Sequence, residues 1–457
     1  MSKKQFGSKI GLIAATVGSA VGLGNVWRFP AETQANGGAA FLLLYVACVF
    51  ILGVPVMLAE FSLGRGGKSD AVGVFRKLSP RTAWWVVGAV GILASYLITC
   101  FYMVVEGWTL EYLWHSVTGG LYESVGHMTT SDVEGADNIF ARRMDSYISA
   151  DWPPLIFTYL VILLNIGVLL GGVQKGIERL SNVLMPVLFV VLVALCCVAL
   201  SLPGAGEGLR WFLSPDFSKI TASTVINALG QTFFSLSLGM GILITYASYY
   251  PSHTRLTRTS MIVSLLSLLV ALLVGCVIFP AVSNFGLDGH SLRGATLVFQ
   301  TLPEVFAFMP ATRLWSTLFF VLLLVAALTS TVSLSEVTIA FLQDRFGMTR
   351  LKACLLALTP LFVFSTLCSL SFGSMSGFTI FGLNLFDFLD KFATNLLLPL
   401  VSIGVCVYVG WFAPRGLLRD QLTNGGTVRS RMTVFVLFVI RYLAPLMIAA
   451  ILVSNFI

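Results

Sequence analysis

Charge is scarce in this 457-residue sequence. Only 11% of residues are Asp, Glu, Lys or Arg, whereas 57% are hydrophobic and mean hydropathy is +0.89. Ordinary soluble domains carry roughly 25% charged residues, and a soluble core cannot absorb this much apolar sequence without leaving large apolar patches in water. The deficit excludes a water-soluble enzyme and a disordered chain. Histidine is sparse too, and His115, His127, His253 and His290 are scattered. No HExxH or GxSxG run occurs, and Gly22-Leu23-Gly24-Asn25 lacks the Asp of a GxGD protease, so an intramembrane enzyme has no residues to work with. All 8 cysteines fall in apolar stretches and none in a hydrophilic loop, which argues against a disulfide framework and a CxxC metal site.

What remains is an all-α polytopic membrane protein. A spanning helix needs about 20 mostly apolar residues. Eleven such stretches lie near residues 10–31, 38–62, 84–115, 153–171, 180–202, 223–249, 259–284, 312–342, 350–370, 379–412 and 433–456. The apolar stretch after Met1–Lys9 has no small-residue cleavage site and runs into Arg28-Phe29-Pro30, so a cleaved leader is not expected. Residues 63–82 suit a short amphipathic helix. Residues 116–152 form a polar, acidic loop, and 285–311 suit a segment folded back over the bundle. The whole chain, 1–457, reads as one integral-membrane unit.

The net charge of +7 and pI near 9.0 need no nucleic-acid partner, because basic loops on one face of a membrane protein give the same excess. One set of loops carries most of the Lys and Arg, from Lys3, Lys4 and Lys9 to Arg429 and Arg431. The opposite set holds Arg142, Arg143, Arg210, Lys219, Arg293 and Arg313. This asymmetry places the N-terminus in the cytoplasm and, with an odd number of spans, the C-terminus outside a plasma (inner) membrane.

Two spans are interrupted. Gly18-Ser-Ala-Val-Gly-Leu-Gly-Asn25 lies within the first, and Gln231-Thr-Phe-Phe-Ser-Leu-Ser-Leu-Gly-Met-Gly241 within the sixth. Unwound backbone at membrane depth is tolerated only where protein or a watery cavity satisfies it. Glycines can also serve close helix packing alone, but two polar, Gly-rich interruptions five spans apart favour two five-helix repeats with a binding site between them.

These residues resemble the neurotransmitter:sodium symporter family. Ala20-Val-Gly-Leu-Gly-Asn-Val-Trp-Arg-Phe-Pro30 with Asn36-Gly-Gly is similar to its first-span signature. Gln231 to Tyr249 resembles the sixth span of its bacterial amino-acid transporters, Ala326-Ala-Leu-Thr-Ser-Thr331 the eighth, and Lys175-Gly-Ile-Glu-Arg179 the fourth-to-fifth junction. The resemblance covers essentially the whole chain. It implies a five-plus-five inverted-repeat fold with unwound spans one and six plus an eleventh span. The repeats would cover about 10–202 and 223–412. It also implies alternating access driven by Na⁺. The general rule linking broken helices to a transport site draws on this same family, so repeat and resemblance are not independent.

By resemblance, one Na⁺ site uses the carbonyls of Gly18, Val21 and Ala326 with the hydroxyls of Thr329 and Ser330. The other uses the Ala20 carbonyl, the Asn25 side chain, Ser235 and, by alignment back from Phe279-Pro280, Ser267. Intramembrane Ser and Thr can instead simply bond the preceding turn. Tyr45, Gln231, Ser235 and Ser267 correspond to a chloride site, or else form a neutral polar cluster. Gly22 stands where monoamine transporters carry Asp, so the substrate should bring its own carboxylate to Leu23, Gly24 and Tyr102. Ser19, Ala20, Phe234 and Ser237 would face its amine, with Ser330 beside them. Ile98, Phe234, Met240 and Leu334 would line an apolar side-chain pocket suited to a hydrophobic, aromatic L-amino acid. The outer gate would pair Arg28 with Asp390, Asp387 being its rival, above a lid of Tyr102 and Phe234. Lys3, with Phe6, would latch the inner side through Asp344. Glu60 and Glu106 read as structural acceptors or proton-coupled groups. The rival functions are a same-fold symporter for another carboxylate-bearing solute, and an amino-acid-binding channel or receptor. The sequence leaves the oligomeric state open.

Overall fold

The computed structural model describes residues 5–123, 139–284, 297–428 and 432–454. The chain opens with a bent pair, α1 (Lys9–Ala20) and α2 (Gly24–Ala35), whose axes diverge by 51°. Continuous helices follow: α3 (Ala39–Gly67), the short α4 (Ala71–Leu78) and α5 (Trp85–Thr118). Next come α6 (Ile139–Ser149), α7 (Trp152–Leu170), α8 (Val173–Leu200) and α9 (Ala205–Leu213). A second broken element, α10 (Ala222–Ser235) and α11 (Ile242–Ser248), precedes α12 (Leu256–Asn284). The rest comprises α13 (Leu297–Ala307), α14 (Thr312–Phe346), α15 (Arg350–Leu370), α16 (Leu385–Phe412), α17 (Leu417–Thr423) and α18 (Thr433–Ser454). Among the described residues nine helices are long and apolar enough to cross a membrane. With the two broken elements they account for the eleven stretches read from the sequence. The architecture is the five-plus-five inverted-repeat transporter fold, with unwound first and sixth spans and one further span.

The distribution of polarity suits a bilayer. Leu160, Leu163 and Leu164 on α7 and Val183, Val187, Val190 and Val193 on α8 are exposed, which suits a lipid-facing surface. The centre instead buries Asn25, Glu60, Glu106, Gln231 and Glu336 completely. A polar group in an apolar interior is tolerated when it is hydrogen-bonded. Glu106 on α5 accepts from Thr331 Oγ1 on α14 at 2.7 Å. Glu336 on the same α14 is held bidentately by Arg350, at 2.6 and 2.9 Å, and by the Tyr249 hydroxyl at 2.8 Å. These bonds fix α14 against α5, α11 and α15 around the two breaks.

Two local features depart from the hydropathy reading, and the short helix expected within 63–82 is present. The tenth span starts at Leu385 and not near 379. Residues 379–384 form a tight antiparallel hairpin, Thr379–Ile380 against Leu383–Asn384, turning through positive φ at Phe381 and Gly382. Asn384 then caps α16, its Oδ1 accepting the Asp387 N–H at 2.8 Å. The second span continues to Gly67. The short amphipathic helix expected within 63–82 is α4 alone, started by Asp70 Oδ1 accepting from the amides of Val72 and Gly73.

Glu60 on α3 links this frame to the sixth-span break, since its Oε1 accepts the Gly239 N–H at 2.8 Å. Glu60→Ala should leave that buried amide unsatisfied and cost about 1–3 kcal/mol, whereas Glu60→Gln keeps an acceptor and should retain most of the stability. Thermal unfolding of the two variants in detergent checks the difference.

Candidate functional site

The first-span break is an accounting problem in backbone hydrogen bonds. The last four carbonyls of a helix have no intrahelical partner. In α1 the Val17 carbonyl accepts from the Val21 N–H at 2.7 Å, Ser19 from Ser237 Oγ at 2.6 Å and Ala20 from Asn25 Nδ2 at 3.3 Å. Among the described residues no donor from outside α1 reaches the Gly18 carbonyl, and Val21 leaves helical geometry at φ −92°, ψ 88°. Close approach explains two glycines in the break. A Cβ at Gly22 would lie 2.6 Å from Ser330 Oγ and 3.1 Å from Tyr102 Oη, and one at Gly24 would lie 2.4 Å from the Phe234 ring.

The sixth-span break, 236–241, takes positive φ at Ser237, Gly239 and Gly241. It is tied to the first. Ser237 reaches the Ser19 carbonyl, and Gln231 Nε2 donates to the Gly24 carbonyl at 3.0 Å. Ser95 on α5 donates to the Met240 carbonyl. Between the breaks lies a cavity of about 30 Å³. Ser19, Ala20, Gly24, Ile98, Tyr102, Phe234, Ser237, Met240, Ser330 and Leu334, all expected there from the sequence, line it. Leu23 does not line it. Its N–H donates to Tyr102 Oη at 3.1 Å. Ile242 also lines the cavity, which sequence reasoning missed. Its place directly after Gly241, where α11 restarts, was the available signal.

Two polar clusters flank this cavity. In the first, Asn25 Nδ2 donates to Ser267 Oγ at 3.1 Å, Ser267 Oγ donates to the Ser235 carbonyl at 3.2 Å, and Tyr45 Oη donates to Ser235 Oγ at 2.7 Å. Ser267 thus sits in register with Asn25. The buried Asn25 Oδ1 and Gln231 Oε1 have no hydrogen-bond partner among the described residues, so oxygen atoms are available to a hard cation or a donor. In the second cluster, Thr329 Oγ1 and Ser330 Oγ both donate to the Ala326 carbonyl at 3.1 Å, and a Cβ at Gly18 would sit 3.2 Å from that of Thr329. Gly18 of α1 thus packs directly against Thr329 of α14, whose hydroxyl and that of Ser330 lie on the Ala326 carbonyl. Neutral oxygens of this kind fit Na⁺ as a transported ion, and no group of three or more His, Cys, Asp or Glu that could hold a metal occurs among the described residues.

The gates come out differently from expectation. Arg28 and Asp390 line one vestibule of about 700 Å³, with Asp145, Asp387 and Lys391, but they do not meet. Arg28 lies 3.8 Å from Glu32, one turn along α2, and its guanidinium stands 5.1 Å over the Phe234 ring. Asp387 is engaged with Asn384 at 3.0 Å. Among the described residues the expected Arg28–Asp390 pair makes no contact within 4 Å, Arg28 lying instead beside Glu32. On the opposite side Phe6 is buried against Tyr246, Tyr249 and Tyr250, with ring centroids 5.9–6.3 Å apart. Lys3 lies outside the described residues. The Asp344 carboxylate accepts from the Asp70 N–H at 2.8 Å. Glu178, from the fourth-to-fifth junction, holds the start of α1 through the N–H groups of Gly7 and Ser8 at 2.7 and 2.9 Å. The chain is thus packed by aromatic rings at the Phe6 end, while the Arg28 end opens into the vestibule.

Comparison with known proteins agrees with this geometry. The model of the sodium:neurotransmitter symporter family matches residues 3–138 and 144–457. The chain is 34% identical over 444 residues to the uncharacterized sodium-dependent transporter YhdH of Bacillus subtilis (strain 168), covering 97% of this chain and 96% of that one. It is 30% identical to the sodium-dependent serotonin transporter of Drosophila melanogaster, covering 90% of this chain and 70% of the relative. The crystal structure of MhsT in complex with L-phenylalanine superposes with a TM-score of 0.88 at 38% identity, covering 99% of this chain and 100% of that one.

Removing one hydroxyl tests the Asn25 cluster. In Ser267→Ala the rise in Tm caused by Na⁺ should saturate at about five- to tenfold higher Na⁺, the worth of about one hydrogen bond. K⁺ should give no rise in either protein.

Proposed function

The chain belongs to the sodium:neurotransmitter symporter family, and from that premise we propose that it carries a hydrophobic, aromatic L-amino acid into the cell with Na⁺ by alternating access. Sodium dependence and a small-molecule substrate belong to the family. The amino acid, the direction and the residue roles are our reading. The observation that carries it is the chemistry at Gly22, where the cavity has no carboxylate in its lining and no room for one beside Ser330 and Tyr102. A substrate amine therefore finds no counter-charge there, whereas a substrate carboxylate would find the Gly24 amide, the Tyr102 hydroxyl, which the Leu23 N–H holds in place, and the positive N-terminal end of α2. Ser19, Ala20, Phe234 and Ser237 would receive the amine. Ile98, Phe234, Met240 and Leu334 would wrap the side chain, the flexible Met240 adapting to a large ring. The binding of L-phenylalanine by MhsT supports the same substrate class.

Two Na⁺ ions accompany the substrate in this reading. Gly18, Val21, Ala326, Thr329 and Ser330 hold one. Ala20, Asn25, Ser235 and Ser267 hold the other, next to the substrate carboxylate. Tyr45, Gln231, Ser235 and Ser267 bind chloride, which balances the cations in a low-dielectric interior. The repeats span about 10–202 and 223–412, and the basic loops face the cytoplasm, with the N-terminus inside and the C-terminus outside. Substrate entering the outer vestibule displaces Phe234 and lets Arg28 close towards Asp390. Release inside requires α1 to swing away from Phe6's aromatic nest, with Lys3 and Asp344 as the latch.

Uptake into proteoliposomes tests the assignment. Labelled L-phenylalanine, tryptophan, tyrosine or leucine should accumulate only under an inward Na⁺ gradient, and chloride removal should slow it. The methyl esters should compete at least about tenfold more weakly, because they lack charge-assisted bonds to the break. Equal competition by esters would remove the carboxylate argument, and no accumulation would point to another solute.

A further inference from the structure

One large cleft lies apart from the central cavity, sharing with the proposed inner gate only Phe6. It lies at the basic face between the start of α1 and the start of α12, has a volume of about 680 Å³, and is lined by Lys9, His253, Arg255, Arg258, Ile13 and Ile262 among others, with no Asp or Glu. Lys9, Arg255 and Arg258 are exposed and make no ion pair among the described residues. The carboxylate of Glu178 is committed to the Gly7 and Ser8 amides. Both α1 and α12 begin at this cleft with no acid in the first turn, so two positive helix ends add to the three cations. Part of the remaining wall is apolar, formed by Phe6, Leu12, Ile13 and Ile262 beside Ser and Thr residues, and the apolar face extends along α12. Ile262, Leu265 and Leu269 follow Arg258 along one face of α12, and Leu265 and Leu269 are 52% and 42% exposed. Across the cleft Ile10 on α1 is 76% exposed.

A cationic mouth at headgroup depth above an apolar wall matches one kind of ligand. We propose that this cleft binds an anionic glycerophospholipid of the leaflet at the basic face. Its phosphate would sit among Lys9, Arg255 and Arg258, and an acyl chain would run along Ile13, Ile262 and Leu265. Basic pockets between helices on the cytoplasmic side favour such headgroups, and naming the leaflet cytoplasmic rests on the orientation proposed above. The binding itself does not depend on which solute is carried. A soluble anion would use the charges and leave the apolar wall unused. Because the lipid bridges α1 and α12, it holds the first half-helix in the inward-closed position.

The test is a thermal-shift titration of the purified full chain in dodecyl maltoside with dioleoylphosphatidylglycerol, dioleoylphosphatidylcholine or inorganic phosphate. Phosphatidylglycerol should raise Tm at a concentration at least about tenfold below that needed with phosphatidylcholine. The triple variant Lys9→Gln, Arg255→Gln, Arg258→Gln should lose that preference, while Lys352→Gln, Arg415→Gln, Arg419→Gln keeps it. If the triple variant does not fold, Arg258→Gln alone should weaken the phosphatidylglycerol response about fivefold. An unchanged response in these variants, or equal responses to the two lipids, would overturn the proposal. A full response to inorganic phosphate would replace the lipid by a soluble anion and overturn it as well.

Discussion

Backbone that unwinds in the middle of a membrane must find new hydrogen-bond partners, and the rest of this molecule is organised around that requirement. The bilayer core offers no water, so each orphaned carbonyl or amide costs several kcal/mol. Here the two breaks satisfy each other first, through Ser237 to Ser19 and Gln231 to Gly24. Fixed helices supply the remainder, with Glu60 on Gly239, Ser95 on Met240 and Tyr102 on Leu23. The oxygens left over, at Gly18, Asn25 and Gln231, lie where mobile ligands can complete them. In the proposed reading, the ion and substrate sites are what remains after the breaks have been stabilised.

The same requirement explains the low charge content. A carboxylate in the cavity would satisfy the break permanently and compete with a substrate for the same amides. Neutral carbonyls and hydroxyls hold a cation weakly enough to let it go. The ionisable groups stand outside the cavity lining, at Arg28 facing the vestibule, at Glu178 fastening the start of α1, and at Glu60, Glu106 and Glu336 bonded within the frame. The wide vestibule lies at the Arg28 end and the aromatic plug at the Phe6 end, and Arg28 lies beside Glu32 with no contact to Asp390.

Much of this was legible because it depends on residue type at fixed chain positions. The runs Gly18–Asn25 and Gln231–Gly241 announce the breaks, and helical periodicity brings Ser330 and Leu334 to the same wall. Ser267 was reached only through the family resemblance, by alignment back from Phe279-Pro280, and it lies within hydrogen-bond distance of Asn25. What was not legible depends on contacts between elements or on very short turns. The hairpin at 379–384 hides in an apolar stretch because a two-residue turn hardly alters average hydropathy. Arg28 takes Glu32 because pairing across a vestibule depends on how far two spans stand apart, which no motif encodes. Ile242 enters the cavity only because Gly241 redirects the chain before it.

If one set of unwound backbone atoms serves substrate and Na⁺ together, the two ligands must bind cooperatively. Calorimetric titration of L-phenylalanine at a series of Na⁺ concentrations, with ionic strength held by choline, measures that coupling directly. Apparent affinity should climb steeply with Na⁺, approaching the square of its concentration below saturation, because binding linkage is reciprocal. Affinity that is the same in Na⁺ and choline would contradict a shared site.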